Sequence, residues 1–561
     1  MRYSRKYIAF SLAMIFVIIL KMNNWSDDYA DVEPFRGAQL EDEVFYPLKA
    51  KSINDSGLFV VNVGDQVYGI SDGVMMGDSM EPMVSLRFVE EHFGCSAHMY
   101  GEALIKVLYS GNTALFSVDT YEATIDGELR PIDIAPEIHE GQGYLPLKVV
   151  CDLFGCDYSY DEVNYAATMG TDFNKGELPT AFDLRKEGRV SAVRDQGDTS
   201  TCWAQAAIGA LESSLLPEIE DEFSVNKMIK DNNYKIDSSL GGDYTMAVAY
   251  LLSWKGPVND EDDNVDYHVQ EVHCYTQDDI DDIKWAVYKY GGVSTSIYAS
   301  MAQNNIAKSD YYKKSTNSYY YNGNDKPNHD VVIIGWDDNY SGNNFNENVP
   351  GDGAFICQNS WGESFGDNGV FYVSYYDTNV GNQAVSYVGV ESKDNYDTIY
   401  QSDLCGWVGQ VGYNKDYISA ANIYTADADE NIMSAGFYAL DKDTSYTLYF
   451  VPEYNGVSSL ANRVQVATGH FDNAGYYTVP FDSAKAVKKG TRFAVVLVLT
   501  TPGATHPMAI EYVGNEFTQN VDITDGTGYI SSNGLDWESV EDTAKGNLCL
   551  KAYGKKIEES K

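Results

Sequence analysis

The feature that most limits what this chain can fold into is a change of hydrophobic period along its length. Up to about residue 377, segments with helical spacing are mixed with strand-like runs. Beyond it the helical patterns stop and strand-turn alternation takes over, as in Ser445-Tyr446-Thr447-Leu448-Tyr449-Phe450-Val451 and Arg492-Phe493-Ala494-Val495-Val496-Leu497-Val498-Leu499. Periods of 3.6 and 2 require different backbones, so one repeated element cannot account for the chain. Its 561 residues also exceed what one core organises, at roughly 150 residues per domain. The expected class is multidomain α+β with a C-terminal β-sandwich. The 44 Tyr and 48 Gly against 15 Pro agree with much strand and turn.

Arg2, Arg5 and Lys6 precede an apolar run at residues 8–20, the layout of an export signal. Residues 1–27 are read as a signal peptide or signal anchor and residues 28–57 as a linker. Two outcomes stay open: cleavage, or a membrane tether through residues 8–20 with Lys21 snorkelling. The protein is expected to be secreted or at the cell surface. No Cys precedes Cys95, which excludes a lipoprotein anchor, and the tail at 555–561 is polar. With 83 Asp plus Glu against 39 Lys plus Arg, a net charge of −44, nucleic acid is not an expected partner. The eight cysteines are sparse and form no CxxC pair, so neither a zinc site nor any cofactor is expected.

Residues 58–172 carry a weak internal repeat. Leu86-Arg87-Phe88-Val89-Glu90-Glu91-His92-Phe93-Gly94-Cys95 is echoed by Leu147-Lys148-Val149-Val150-Cys151-Asp152-Leu153-Phe154-Gly155-Cys156. Each copy predicts a short amphipathic helix stopped by glycine, with strands on either side. His92, His98 and His139 sit in no ligand spacing and read as lone surface histidines, so no metal is assigned. The polar stretch 171–180 closes this module.

The candidate chemistry lies in residues 173–393. Cys202 follows the capping-type cluster Asp198-Thr199-Ser200-Thr201, and apolar residues at 203, 207, 210 and 211 have helical spacing, with Pro217 just beyond. A cysteine at a helix start is favoured as thiolate by the macrodipole and the unpaired N–H groups. Gln196-Gly197 lies six residues earlier, where a carboxamide reaches the space beside the sulfur. His329 stands at the entrance of the buried run Val331-Val332-Ile333-Ile334-Gly335-Trp336, placed as a general base. Asn359 ends the run Ala354-Phe355-Ile356-Cys357-Gln358 and can fix the imidazole tautomer.

These residues, in this order and spacing, resemble the papain family of cysteine peptidases over about 178–378. Leu178-Pro179-Thr180-Ala181-Phe182-Asp183 looks like the family's mature start, and Tyr290-Gly291-Gly292-Val293-Ser294 like its turn into a central strand. The resemblance implies a two-lobed domain, helical lobe plus β-barrel-like lobe, with Cys202 as nucleophile, His329 as base then acid and Asn359 as its orienter. It implies Gln196 and the Cys202 N–H as oxyanion hole, Trp361 as a shield of the His329–Asn359 bond, and Gly241 and Gly242 as substrate-binding backbone. The implied partner is a peptide or protein substrate. The pattern from Pro146 to Gly155 resembles the N-terminal stalk-like domain of copper amine oxidases. Residues 394–554 resemble the lectin-like β domain of bacterial surface peptidases, through Ile399-Tyr400-Gln401, Gly406-Trp407 and Ala420-Ala421-Asn422-Ile423-Tyr424. That last likeness implies a cell-surface glycan or protein as partner.

Departures from the papain pattern matter too. Thr199 and Ser200 stand where the family has Cys and Gly, so its disulfide beside the site is missing. Asp330 replaces the commoner small apolar residue after the histidine, and a carboxylate there raises an imidazolium pKa if it faces the ring. The family's helical propeptide is absent. Cys405 and Cys549 are candidates for pairing, with connectivity open. Residues 285–288 read as core, 337–342 as a hairpin loop and the acidic run 259–263 as solvated. Two alternatives remain to peptide hydrolysis: a non-catalytic adhesin on the same scaffold, and a transpeptidase using the same residues. Since every candidate catalytic residue falls within 173–393, that segment is expected to retain activity alone.

Overall fold

The computed structural model describes residues 59–557 apart from 65, 70–71, 102, 140, 163, 238, 240, 260–263 and 301–308. The signal and linker segments, most of the acidic run and the end of the tail lie outside the described residues. No helix among the described residues is long and apolar enough to cross a membrane. The described residues divide into two compact units, 59–182 with Pro217–Ile219, and Asp183–Leu216 with 220–557.

In the first unit the two repeat copies form helices Leu86–Phe93 and Leu147–Phe154, each entered directly from a strand, Pro82–Ser85 and Gln142–Pro146. Those strands pair antiparallel with Leu145 opposite Val84, so the copies meet around a local two-fold. Gly94 and Gly155 end the helices at φ 63° and 72°, a backbone only glycine adopts cheaply. The inward residues Phe88, Val89, Phe93, Leu147, Val150 and Phe154 share one core, with the Phe93 and Phe154 rings 4.9 Å apart. A five-stranded meander, Ser96–Tyr100 to Glu128–Pro131, completes the unit. The three histidines are not lone surface residues. His92 packs on Phe88 and Tyr68, His98 lies 3.3 Å from Glu90, and His139 Nε2 lies 2.8 Å from Glu137. Tyr68 and Glu90 come within reach of His92 and His98 only after folding, whereas Phe88 and His92, four apart on a helix, and Glu137 and His139, two apart on a strand, are local pairs that the reading of the histidines as lone residues overlooked.

In the second unit the helix Cys202–Leu215 is buried on almost every side, with Val225–Asp231 and Tyr244–Leu252 packed beside it. This is the helical lobe. The other lobe is an antiparallel sheet in which Val293–Ile297 pairs with His329–Asp337, that strand with Ala354–Gln358, and that with Val370–Ser374. Buried Arg189 staples the far end of the central helix by donating to the carbonyls of Leu216, Tyr288 and Lys289. Glu212 on that helix accepts from Arg194 and from the Phe223 N–H. Residues 337–342 do form part of the loop between two paired strands.

The C-terminal region is a sandwich whose core, including Phe437, Leu448, Phe493, Leu497 and Leu550, lies between a six-stranded sheet and a second sheet. That second sheet does not end at the domain. Strand Ala474–Val487 pairs with Tyr267–Tyr275, Glu271 opposite Tyr477, so one thirteen-stranded sheet runs from the peptidase-like lobe into the sandwich. Cys405 and Cys549 are both buried and are not joined to each other. The suggested Cys405–Cys549 bridge is therefore not made; continuous sheet and core packing hold the sandwich without it.

Candidate active site

Cys202 is the first residue of its helix, and Thr201 precedes it without a side-chain cap. The helix N-terminus is therefore left with free N–H donors around the sulfur. Across the cleft, His329 opens the strand His329–Asp337 opposite Ile297. Asn328 fixes this strand entrance: its Oδ1 accepts from the Ala299 N–H at 2.7 Å and its Nδ2 donates to the Ala299 carbonyl at 3.2 Å. His329 Nε2 lies 2.7 Å from Asn359 Oδ1, which also accepts from the Ser360 N–H at 2.8 Å. With Nε2 donating, Nδ1 is left as the acceptor.

Trp361 stacks on the His329 ring at 4.6 Å and 26°. His329, Asn359 and Trp361 are 6%, 3% and 6% exposed, so the imidazole–carboxamide bond is kept from water. The loop carrying Trp361 is tied to the one carrying Gln196: the Gln196 N–H donates to the Ser360 carbonyl and the Gly362 N–H to the Arg194 carbonyl, both at 2.9 Å. Ser360 Oγ donates to Gln196 Oε1 at 2.7 Å, while Gln196 Nε2 donates to the Thr199 carbonyl at 2.8 Å. One Nε2 hydrogen remains for a reacting carbonyl.

The structure thus brings His329, Asn359 and Trp361 together, with Gln196 joined to them through Ser360, and sets Cys202 beside the N–H of Asp330, the residue that follows His329. Of the two glycines, Gly242 presses on the Trp203 indole, where a Cβ would lie 2.6 Å from Cε2, whereas a Cβ on Gly241 meets nothing within 4 Å. Gly242 therefore has a packing reason to be glycine that motif reading did not supply. Ser360, which anchors Gln196, was also missed. Its only signal in sequence was its place inside Asn359-Ser360-Trp361-Gly362.

The helix start does not by itself make a thiolate here. Burial, then the Asp330 carboxylate, push the Cys202 thiol up to about 12, against the backbone N–H groups of Asp330, Trp203 and Cys202 that favour the anion. Burial likewise pushes His329 down to about 4, against its bond to Asn359. Burial thus favours the neutral thiol and the neutral imidazole in the resting site. Asp330 bears on the sulfur rather than on the ring. Its carboxylate accepts from Ser296 Oγ at 2.5 Å, on the neighbouring strand. On the Gln196 side a cavity of about 860 Å³ opens, lined in part by Asp195, Thr199, Gln205, Glu222 and Phe223.

A site of this geometry between a helical and a strand-built lobe defines the class: the central domain is a papain-like cysteine peptidase domain, in a multidomain α+β chain. Residues 178–391 match the papain family cysteine protease model, 399–554 that of the lectin-like domain and 70–169 that of the copper amine oxidase N-terminal domain. Cathepsin K of Mus musculus is 27% identical over 36% of this chain and 61% of its own. A cysteine protease of Blomia tropicalis is 26% identical over 38% and 66%. The chain thus spans about 61–66% of the length of these relatives. Among solved structures, the clostridial cysteine protease Cwp84 after propeptide cleavage has the same fold, with a TM-score of 0.60 at 23% identity, covering 67% of this chain and 99% of that one. The cysteine protease and lectin-like domains of Cwp84, a surface layer associated protein of Clostridium difficile, align at a TM-score of 0.59 and 22% identity, over 68% of this chain and 90% of that one.

Proposed function

We propose that the protein is an exported cysteine peptidase that hydrolyses peptide bonds through an acyl-enzyme. The observation that carries this reading is the His329–Asn359 bond at 2.7 Å under the Trp361 ring, with the N–H of the next residue, Asp330, at the sulfur of a cysteine that starts a helix. Cys202 Sγ attacks the scissile carbonyl as its proton passes to His329 Nδ1. The oxyanion is met by the free Gln196 Nε2 hydrogen and the Cys202 N–H, and collapse returns the proton from His329 to the leaving amine. Water, deprotonated by His329, then hydrolyses the thioester and frees Cys202.

A binding scaffold needs no imidazole aligned by a carboxamide, which weighs against the adhesin alternative. Export is supported by the basic-then-apolar start, and a place at the cell surface by the name of Cwp84 as a surface layer associated protein. The lectin-like domain would then hold the peptidase against a surface glycan or protein. The test is Cys202→Ala in the full chain: hydrolysis of a mixed peptide library should fall by a factor of about 10⁴ or more, and labelling by an iodoacetamide probe at pH 7 should vanish from the site. Unchanged turnover, or equal labelling of Cys274 in the unaltered protein, would reject the assignment.

A further inference from the structure

In the first unit, the second repeat copy closes its helix between two cysteines. Helix Leu147–Phe154 turns at Gly155, and the N–H groups of Gly155 and Cys156 both donate to the Cys151 carbonyl, the latter at 2.8 Å. In a glycine-stopped helix this closure sets the side chains at those two places against each other. The sulfurs bear this out: the Cys151 and Cys156 thiols are hydrogen-bonded to each other, and Cys156 Sγ also lies 3.4 Å from the Gly170 carbonyl. Both side chains belong to the core of the unit, Cys151 fully enclosed and Cys156 8% exposed. The first copy makes the same turn with a single cysteine. Gly94 stands there for Gly155 and Cys95 for Cys156, while Glu90, which accepts from the Ala97 N–H at 2.8 Å, stands for Cys151. The turn itself therefore does not call for a pair of cysteines.

An apolar pair would fill that contact equally well. Two thiols facing each other add a chemistry that an apolar pair lacks. We propose that Cys151 and Cys156 are a disulfide site, closed after export by exchange with a small dialkyl disulfide of the cystine type. The site is separate from the peptidase chemistry and takes from the proposed function only the export. Cys156, the more exposed of the two, attacks one cystine sulfur as its thiolate; the cystine S–S bond breaks and one cysteine leaves. Cys151, deprotonated in turn, attacks Cys156 Sγ in the mixed disulfide, which forms the protein S–S bond and releases the second cysteine. The protons of both protein thiols end on the two released cysteines, so one cystine is reduced as the pair is oxidised. The closed loop contains Phe154, whose ring lies 4.9 Å from that of Phe93, and the bond therefore holds the second copy against the first.

The experiment incubates the full chain with cystine, quenches with acid, blocks thiols with N-ethylmaleimide in guanidinium, and digests with trypsin without reduction. Residues 149–175 form one tryptic peptide that holds both cysteines, and residues 88–106 another that holds Cys95. By mass spectrometry the first peptide should be lighter than its reduced form by a pair of hydrogens and carry no maleimide, whereas the second should carry one. In graded cysteine/cystine mixtures the folded protein should close the bridge at a poise about 10-fold or more less oxidising than the chain in guanidinium, because the turn already holds the sulfurs together. Cys151→Ala should stall at the mixed disulfide, with one cysteine on Cys156, and Cys156→Ala should leave Cys151 unmodified. If either variant fails to fold, the unaltered protein decides alone. A maleimide on both cysteines of 149–175 after cystine, a bridge from either of them to Cys95, or the same poise in folded and unfolded chain overturns the inference. A bridge that closes in cystine in a protein found to be retained in the cell refutes export and leaves the site standing.

Discussion

Gly242 offers the sharpest test of how the helix start is held. An alanine Cβ there would lie 2.6 Å from Trp203 Cε2, 2.7 Å from Nε1 and 2.9 Å from Cδ2. Reaching the ordinary 3.4 Å requires the glycine segment and the indole to separate by roughly 0.8 Å. Trp203 is 2% exposed, so the ring has little room to retreat. Either the head of the central helix moves, carrying Cys202, or the Gly241-Gly242-Asp243 segment lifts from the cleft. Overpacking of this kind costs about 1–3 kcal/mol. The lost flexibility of the unfolded chain returns only about 0.4–1 kcal/mol, so net destabilisation of about 1–2 kcal/mol is expected for Gly242→Ala. A displacement of this size at the nucleophile should also lower kcat/KM by about 10²-fold. Denaturant unfolding and peptide kinetics measure the two effects. Gly241→Ala is the control, since its Cβ meets nothing within 4 Å, and it should leave stability nearly unchanged. A Gly242→Ala protein with unaltered midpoint and turnover would refute the close approach as the reason for this glycine.

Asn359→Asp places a carboxylate on the imidazole, so the acid limb of the kcat/KM profile, expected near pH 4 from the buried His329, should move up by about one pH unit or more; an unmoved limb would separate Asn359 from the titrating pair. Ser360→Ala removes the donor to Gln196 Oε1 and should lower kcat about 10-fold with little change in iodoacetamide alkylation, because only the oxyanion step uses that amide. Asp330 carries a carboxyl raised from 3.8 to about 7, so the folded protein holds a proton that the unfolded chain releases, and stability falls as pH rises from about 4 to 7. Asp330→Asn lacks that loss, and its advantage in denaturant unfolding should grow to the order of 2–4 kcal/mol by pH 8; parallel pH curves for the two proteins would contradict this. A chain ending at residue 393 loses the ladder between Tyr267–Tyr275 and Ala474–Val487 and should elute as aggregate or unfold more readily, with size-exclusion chromatography as the check.

That last expectation departs from what the sequence alone implies, since every candidate catalytic residue falls within 173–393. The departure has a physical origin. Hydrophobic period and motif spacing report on contacts between near neighbours or on chemistry fixed by residue type. Cys202, His329 and Asn359 were legible because each stands at the start or end of an element whose pattern is local, and Gln196 because it lies a fixed six residues ahead of Cys202. The two glycine-stopped helices of the first unit were legible for the same reason. Glu271 facing Tyr477 was not, because the alternation of either strand looks the same whether its edge is free or paired.

The electrostatics of the cleft were hidden in the same way. A cysteine at a helix start reads as a thiolate as long as only its own helix is considered. Folding then adds two opposing facts, the burial of Cys202 and the carboxylate of Asp330, and together these outweigh the N–H groups. Asp330 could be noticed in sequence as an unusual neighbour of His329, but its target could not, because which face of a strand entrance it shares depends on Ser296 opposite. The resting site thus disfavours the anion that the proposed mechanism requires, and the proton of Cys202 must leave as the sulfur attacks.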